Sequence, residues 1–169
     1  MSTVSVGVNV AIVPVIYVQN EVIDVLMRIA SNRNLDLGYF TDNQKSLTSG
    51  LFTWLTTRTL EKIVMEILER NRVIERFDLS FQYSAVFQTT KESNFETNIQ
   101  KLEDFLSKLP TQKQRNRRYR IVAVVSPNAP EAPGWGPTNL NLVDHLKKQN
   151  LGGLINADYM KAEFEFWGE

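Results

Sequence analysis

The sequence predicts a mixed α+β domain, and three stretches carry that prediction. Residues 75–83 alternate: Glu75, Phe77, Leu79, Phe81 and Tyr83 fall on one face, Arg76, Asp78, Ser80 and Gln82 on the other. A strand covered on one face and wet on the other requires that period of two. Residues 94–109 instead place Phe95, Ile99, Leu102, Phe105, Leu106 and Leu109 at helical spacing. Residues 119–125, YRIVAVV, concentrate the β-branched side chains that suit a second strand.

The totals narrow the class. A chain of 169 residues supports one domain with a sizeable core. Lys+Arg and Asp+Glu are both 19, so the net charge is zero, which argues against a general nucleic-acid or membrane-surface binder. There are no cysteines, which excludes disulfides, thiolate metal sites and cysteine nucleophiles. Residues 1–30 lack the basic start and small-residue cleavage site of a signal peptide, and Glu21 and Asp24 interrupt their apolar pattern. No run approaches the roughly 18 apolar residues of a membrane span. The expectation is a soluble, cytoplasmic, single domain.

Taken in order, the first segment sets Val4, Val6, Val8 and Val10 against Thr3, Ser5, Gly7 and Asn9, and Pro14 argues against a helix running through it. It reads as a strand, either a fixed edge of the sheet or a detachable arm that adds to a partner's sheet. Residues 19–31 predict a helix, with Asn20 as N-cap and Val22, Ile23, Leu26, Ile29 and Ala30 as its buried stripe. A short helix is expected over 44–55. Residues 60–69 fit both periods: Leu60, Ile63, Val64, Ile67 and Leu68 make a helical stripe, while Ile63, Met65 and Ile67 share a strand face. Ser93 and Glu96 form a capping box ahead of the 94–109 helix, which Pro110 ends. Residues 126–137 hold four of the six prolines and predict a long loop. Residues 140–149 predict a short helix broken by Gly152 and Gly153. The tail returns to period two, with Met160, Ala162, Phe164 and Phe166 opposite Lys161, Glu163 and Glu165.

No catalytic constellation emerges. His145 is the lone histidine, beside Asp144, and reads as an exposed helix residue, because adjacent side chains rarely face each other and no serine sits in a nucleophile elbow. The carboxylate pairs Glu61 with Glu66 and Glu163 with Glu165 fall where solvated strand faces are expected. Asp and Glu do not cluster at ligand spacing, and no phosphate-binding loop is present. The basic run Lys113, Arg115, Arg117, Arg118 and Arg120 reads as a solvated loop leading into a strand, or as a contact for RNA or an acidic partner. Trp135 in its proline-rich loop and the Phe164–Trp167 stretch read as core and edge cover. They also suit peptide capture by strand addition, with a mobile segment slowing release.

The run TWLTTRTLEKIVMEI, followed by a turn and ERFDLSFQY, resembles the central hairpin of bacterial HORMA-domain proteins, and PGWGPTNL and LGGLINADYMKAEFEFW extend the likeness. The resemblance implies that 60–68 and 73–84 are paired antiparallel strands. With 119–125 they would form a three-stranded antiparallel sheet backed by helices, followed by a C-terminal safety belt. The single HORMA-like domain would comprise an N-terminal strand or arm (1–18), a core (19–126) and the belt (127–169).

What that family implies is a non-enzymatic adaptor, without cofactor or metal, that captures or donates a closure-motif peptide. It would regulate a cGAS/DncV-like nucleotidyltransferase in anti-phage (CBASS) signalling. Partners would be the peptide, a second HORMA protein, the nucleotidyltransferase and an AAA+ remodelling ATPase, with no membrane or nucleic acid. Tyr119, Ile121, Ala123 and Val125 would lie beside the peptide, with Trp135, Phe164, Phe166 and Trp167 in the belt. Val4, Val6 and Val8 would be the candidate donated arm. The alternatives are an RNA- or acidic-partner-binding domain using residues 113–120, and an enzyme whose site the sequence hides.

Overall fold

The computed structural model describes residues 2–84, 95–111 and 116–169, with side chains from residue 12 onward. The chain folds as α1 (Ser2–Asn32), α2 (Gly38–Thr56), β1 (Leu60–Glu69), β2 (Arg72–Tyr83), β3 (Glu96–Thr97), α3 (Ile99–Lys108), β4 (Arg117–Val125), β5 (Lys147–Ala157) and β6 (Met160–Gly168).

The ambiguous stretch 60–69 is a strand. Its hairpin with β2 pairs Ile63 with Leu79 and Met65 with Phe77, turning at Arg70 and Asn71, both at positive φ. Along that turn the helical stripe loses to strand pairing, because β1 sits between two partners, β2 and β4. Ile63, Met65, Ile67, Phe77 and Leu79 are buried in one core with the helices, which lie across this face.

The sheet has six strands rather than three, ordered β3-β5-β6-β2-β1-β4. The three expected strands are there, and the C-terminal hairpin β5–β6 adds to the β2 side. Residues 147–157 are therefore strand, not the end of a helix. Gly152 does not break the element: it sits at φ +76° within β5, its N–H donating to Asn150 Oδ1, where the register with β6 shifts. A glycine tolerates that left-handed bulge without strain.

All three helices differ from expectation. The first runs from Ser2, with Pro14 inside it, so the predicted strand at 4–10 is helical. The reason lies in a second periodicity: Val8, Ala11, Val15, Val18, Val22, Val25 and Ile29 recur three or four residues apart, and those from Val15 onward are buried. Pro14 removes one N–H donor from a helix of 31 residues, a loss that the packing of the following turns offsets. Asn20 is thus mid-helix rather than an N-cap. The side chains of Val4, Val6 and Val8 lie outside the described residues. Similarly, the helix expected from residue 94 begins at Ile99, capped by Asn98, whose Oδ1 accepts from the Lys101 N–H at 3.0 Å. Glu96 pairs with Asn156 in β3, and Ser93 lies outside the described residues. Phe95 stacks on Tyr17 at 5.0 Å.

α2 is longer than expected, taking in residues from Gly38. Asp36 starts it by accepting the Gly38 N–H at 2.9 Å, and Phe40, Leu47, Leu51, Trp54 and Leu55 make its buried face. A buried pair ties α1 to the sheet: Arg33 donates Nε and Nη2 to the two Glu75 oxygens, each at 2.9 Å, and Nη2 also to the Pro110 carbonyl.

The sheet face turned away from the helices is not wet throughout. Arg76 and Asp78 are buried and paired at 2.7 Å, and Glu66 is 0% exposed. A second apolar cluster, Leu68, Val73, Val143 and Leu146 with Trp167 against it, covers one end of that face. Residues 140–146 supply half of this cover and form no helix. His145 accordingly stands in a turn, its Nε2 2.7 Å from the Val73 carbonyl.

Candidate functional site

Site geometry begins with strand order. Among the described residues β4 is the last strand of the sheet: it pairs with β1 along its whole length, and no described strand lies on its other side. An end strand leaves a row of N–H and C=O groups free to pair with another extended chain.

The segment after β4 turns back over that edge. Ser126 N–H bonds the Thr59 carbonyl at 2.8 Å, and the Trp54 indole donates to the Pro130 carbonyl at 2.8 Å. Trp135 then docks on α2. Its indole N–H donates to the Ser46 carbonyl at 2.8 Å, and its ring meets Trp54 edge-on at 5.1 Å. Gly50 makes that seat, since a Cβ there would stand 2.4 Å from the Trp135 Nε1. Gly134, at φ +84°, is equally constrained: a Cβ would meet Ser46 Oγ at 2.2 Å.

Within six residues of Trp135 the chain has crossed to the opposite face of the sheet. There Arg120 of β4 donates to Thr138 Oγ1 at 2.9 Å and to the Asn139 carbonyl. Asn141 donates its backbone N–H to Glu66 Oε2 at 2.9 Å. The segment is thus held on the helix side by Trp135 and on the far side by residues 138–141, bridging the edge of β4 between.

Beneath the bridge lies a cleft of about 1100 Å³. Its floor is Ile121–Val125 of β4; one wall is Tyr39, Asn43, Ser46, Leu47 and Trp54, and the other is residues 129–140. Five strand residues span about 17 Å, room for a short extended peptide. Among the described residues Glu131 is the one ionisable acid or base lining it apart from the Tyr39 phenol, which burial raises. Among the described residues no group of His, Asp or Glu is arranged to hold a metal ion.

The predicted site residues divide. Ile121, Ala123 and Val125 line the cleft, and Trp135 closes it. Tyr119 stands just beyond, packed on Tyr39 and Phe40, its hydroxyl donating to the Asp36 carbonyl. Burial, with Asp36 and Tyr39 nearby, pushes its phenol up to about 12. Phe164, Phe166 and Trp167 belong elsewhere. They sit on β6, beyond β2 and β1 from β4. Phe164 and Phe166 pack on Phe77 and Phe105 in the core, and Trp167 lies under Arg76 and Lys148. They hold the C-terminal hairpin on the sheet and do not line the cleft.

The basic run is spent internally where it is described. Arg118 bonds Asn71 and Arg120 bonds Glu66; burial raises the Glu75 carboxyl, opposed first by Arg33 and then by nearby Arg117. Lys113 and Arg115 lie outside the described residues. The carboxylates also part company: Glu61 is exposed, Glu66 is fully buried, and Glu165 is buried beside Lys148 at 3.2 Å. Asn141 and Gly50 were not singled out in the sequence, Trp54 entered only within the TWLTTRTLEKIVMEI run, and Glu66 was read there as solvated. Only Gly50 carried a signal, because a glycine inside a helix costs about 1 kcal/mol and implies a close approach.

Comparison with known proteins gives one family. The model of the family described as Bacterial HORMA domain 2 matches residues 1–169. No curated protein matches the chain. Among solved structures it is similar to C. elegans HTP-2 bound to a HIM-3 closure motif, at TM-score 0.65 and 14% identity over 85% of this chain and 84% of that one. It is also similar to a chain of the E. coli MS115-1 HORMA:CdnC:Trip13 complex, at TM-score 0.60 and 10% identity over 91% and 87%. A chain of a mitotic checkpoint complex matches at TM-score 0.60 and 10% identity over 79% and 74%. At these identities the likeness is one of fold.

Proposed function

The chain belongs to the bacterial HORMA domain family, and from that membership and its own edge geometry we propose that it is a non-enzymatic adaptor that captures a closure-motif peptide. The observation that carries the proposal is the unpaired edge of β4, running beneath a segment anchored on both faces of the sheet. A peptide would enter as a seventh strand beside Ile121–Val125, with alternate side chains directed to the Leu47–Trp54–Trp135 wall. Because the belt would surround it, release would require an anchor to open, giving slow dissociation without exceptional contact area.

The likeness to a HORMA:CdnC:Trip13 complex supports a setting. In that reading the chain acts in the cytoplasm, its peptide-bound form regulates a cGAS/DncV-like nucleotidyltransferase in anti-phage defence, and an AAA+ ATPase returns it to the unbound form. A second HORMA protein is a candidate source of the peptide. The donor role is not favoured for this chain, since Val4, Val6 and Val8 fall in a helix and strand addition needs an extended arm.

The test is co-purification with the products of neighbouring genes, comparing the full chain with Trp135→Ala and with a variant lacking residues 2–10. Co-elution with a nucleotidyltransferase or second HORMA protein that Trp135→Ala abolishes supports belt-dependent capture. Loss only on removing residues 2–10 would make this chain the donor. Absence of any such partner would overturn the signalling assignment.

A further inference from the structure

We propose that Glu66 is the residue that fastens the belt on the far face of the sheet, acting through Arg120 and Asn141. This deepens the capture reading and rests on it for its biological meaning, though not for its geometry.

Glu66 lies mid-way along β1, a strand paired on both sides, and points away from the helices. Its carboxylate is fully buried. A charge placed there costs several kcal/mol unless it is well paired. The pairing is supplied from two directions. Arg120 of β4 donates Nε to Oε1 at 2.5 Å, while Asn141 donates its backbone N–H to Oε2 at 2.9 Å and its side-chain amide to Oε1 at 3.2 Å.

Arg120 faces both ways. The rest of its guanidinium holds Thr138 Oγ1 and the Asn139 carbonyl. If the belt lifted, Glu66 would lose both Asn141 donors and Arg120 would lose both belt acceptors together. Arg120 itself is about a third exposed, so water can replace its belt acceptors, but the fully buried Glu66 carboxylate keeps all of its donors only when the belt is closed. Partly satisfied polar networks in low dielectric are costly, so the pair favours closure and fixes residue 141 in register with β1. The Trp135 seat adds one neutral hydrogen bond, to the Ser46 carbonyl, and no ion pair. A sheet that needed only packing at position 66 would be served by an apolar side chain.

The experiment is hydrogen–deuterium exchange on the full chain with no peptide present, comparing wild type, Asn141→Ala, Glu66→Gln and the double variant. Asn141→Ala removes the side-chain bond and keeps the backbone one, so it should speed exchange of amides in 136–146 about tenfold, in line with loss of one hydrogen bond to a charged group, and leave β1 and β2 unchanged. Adding Asn141→Ala to Glu66→Gln should change little, because both remove one network. Unaltered belt exchange in Asn141→Ala would overturn the inference. So would a rise shared equally by β1 and β2, or full additivity in the double variant. Since no peptide is used, a chain that never binds peptide could still give the expected exchange, so the two readings fail separately.

Discussion

The indole of Trp135 fills the space above Gly50, where a Cβ would stand 2.4 Å from its Nε1. Two segments 85 positions apart in numbering, one in the middle of a helix and one in a proline-rich loop, are thereby fitted to each other (135 less 50). Gly50→Ala should act against helix propensity: the roughly 1 kcal/mol gained in the helix is outweighed by the displaced ring. The expected outcome is a net loss of about 1–3 kcal/mol in denaturant unfolding, with greater quenching of tryptophan fluorescence by a soluble quencher.

Trp135→Ala removes the seat from the other side. Truncating a packed aromatic side chain typically costs about 3–5 kcal/mol. Here much of that loss should fall on residues 127–146, since β1, β2 and β6 keep their core. The chain should still unfold cooperatively, and a heptapeptide selected on wild type from a random display library should dissociate at least tenfold faster, with little change in association rate. Stopped-flow competition measures both rates.

Arg33 and Glu75 are a buried pair far from the cleft. Arg33→Met alone strands a buried carboxylate and should cost about 3–5 kcal/mol. Arg33→Met with Glu75→Leu should recover most of that, because the replacement is apolar on both sides. Urea midpoints of the single and double variants decide it.

Alkaline stability should depend on Tyr119. Its phenol is pushed up to about 12, chiefly by burial, from an ordinary value of 10. A folded value above the unfolded one means the associated stability is fully present below pH 10 and lost as the pH rises toward 12. Tyr119→Phe should therefore lie below wild type at pH 8 for want of the bond to Asp36, and the gap should narrow across that window. Thermal unfolding at a series of pH values checks the sign.

Peptide binding should vary little with salt. The cleft's one ionisable acid among its carboxyl and basic groups is Glu131, and apolar strand addition releases few counterions. An affinity nearly unchanged between low and high salt is expected. A steep linear fall in log K would instead return attention to residues 113–120 and a phosphate-bearing partner.

What the sequence revealed follows its local periodicities. β2, β4 and the alternation of Met160 through Phe166 were readable because each segment's pattern agrees with its surroundings, whereas β1 fits both periods and only the family resemblance decided it. The valines near the start were misread because seven residues fit a period of two, while the longer helical stripe through Val15 and Val22 decided the fold. Residues 147–157 carry a polar, glycine-containing sequence whose strand form depends on pairing with β6, a partner close in sequence yet not evident from it. Phe164 and Phe166 lie away from the β4 cleft for a topological reason: the end hairpin joined the β2 side of the sheet. Glu66 was read as solvated because alternation identifies a face but says nothing of what later covers it.

The central claim is that the free edge of β4 is the peptide's docking strand. The most direct measurement is amide exchange, residue by residue, across 119–125 with and without the library-selected heptapeptide. Strand addition predicts strong new protection at alternate amides of β4, those directed away from β1, together with slower exchange in 136–141. Binding that leaves the β4 amides unchanged, or that protects the stretch of β5 that β3 leaves uncovered instead, would contradict the account.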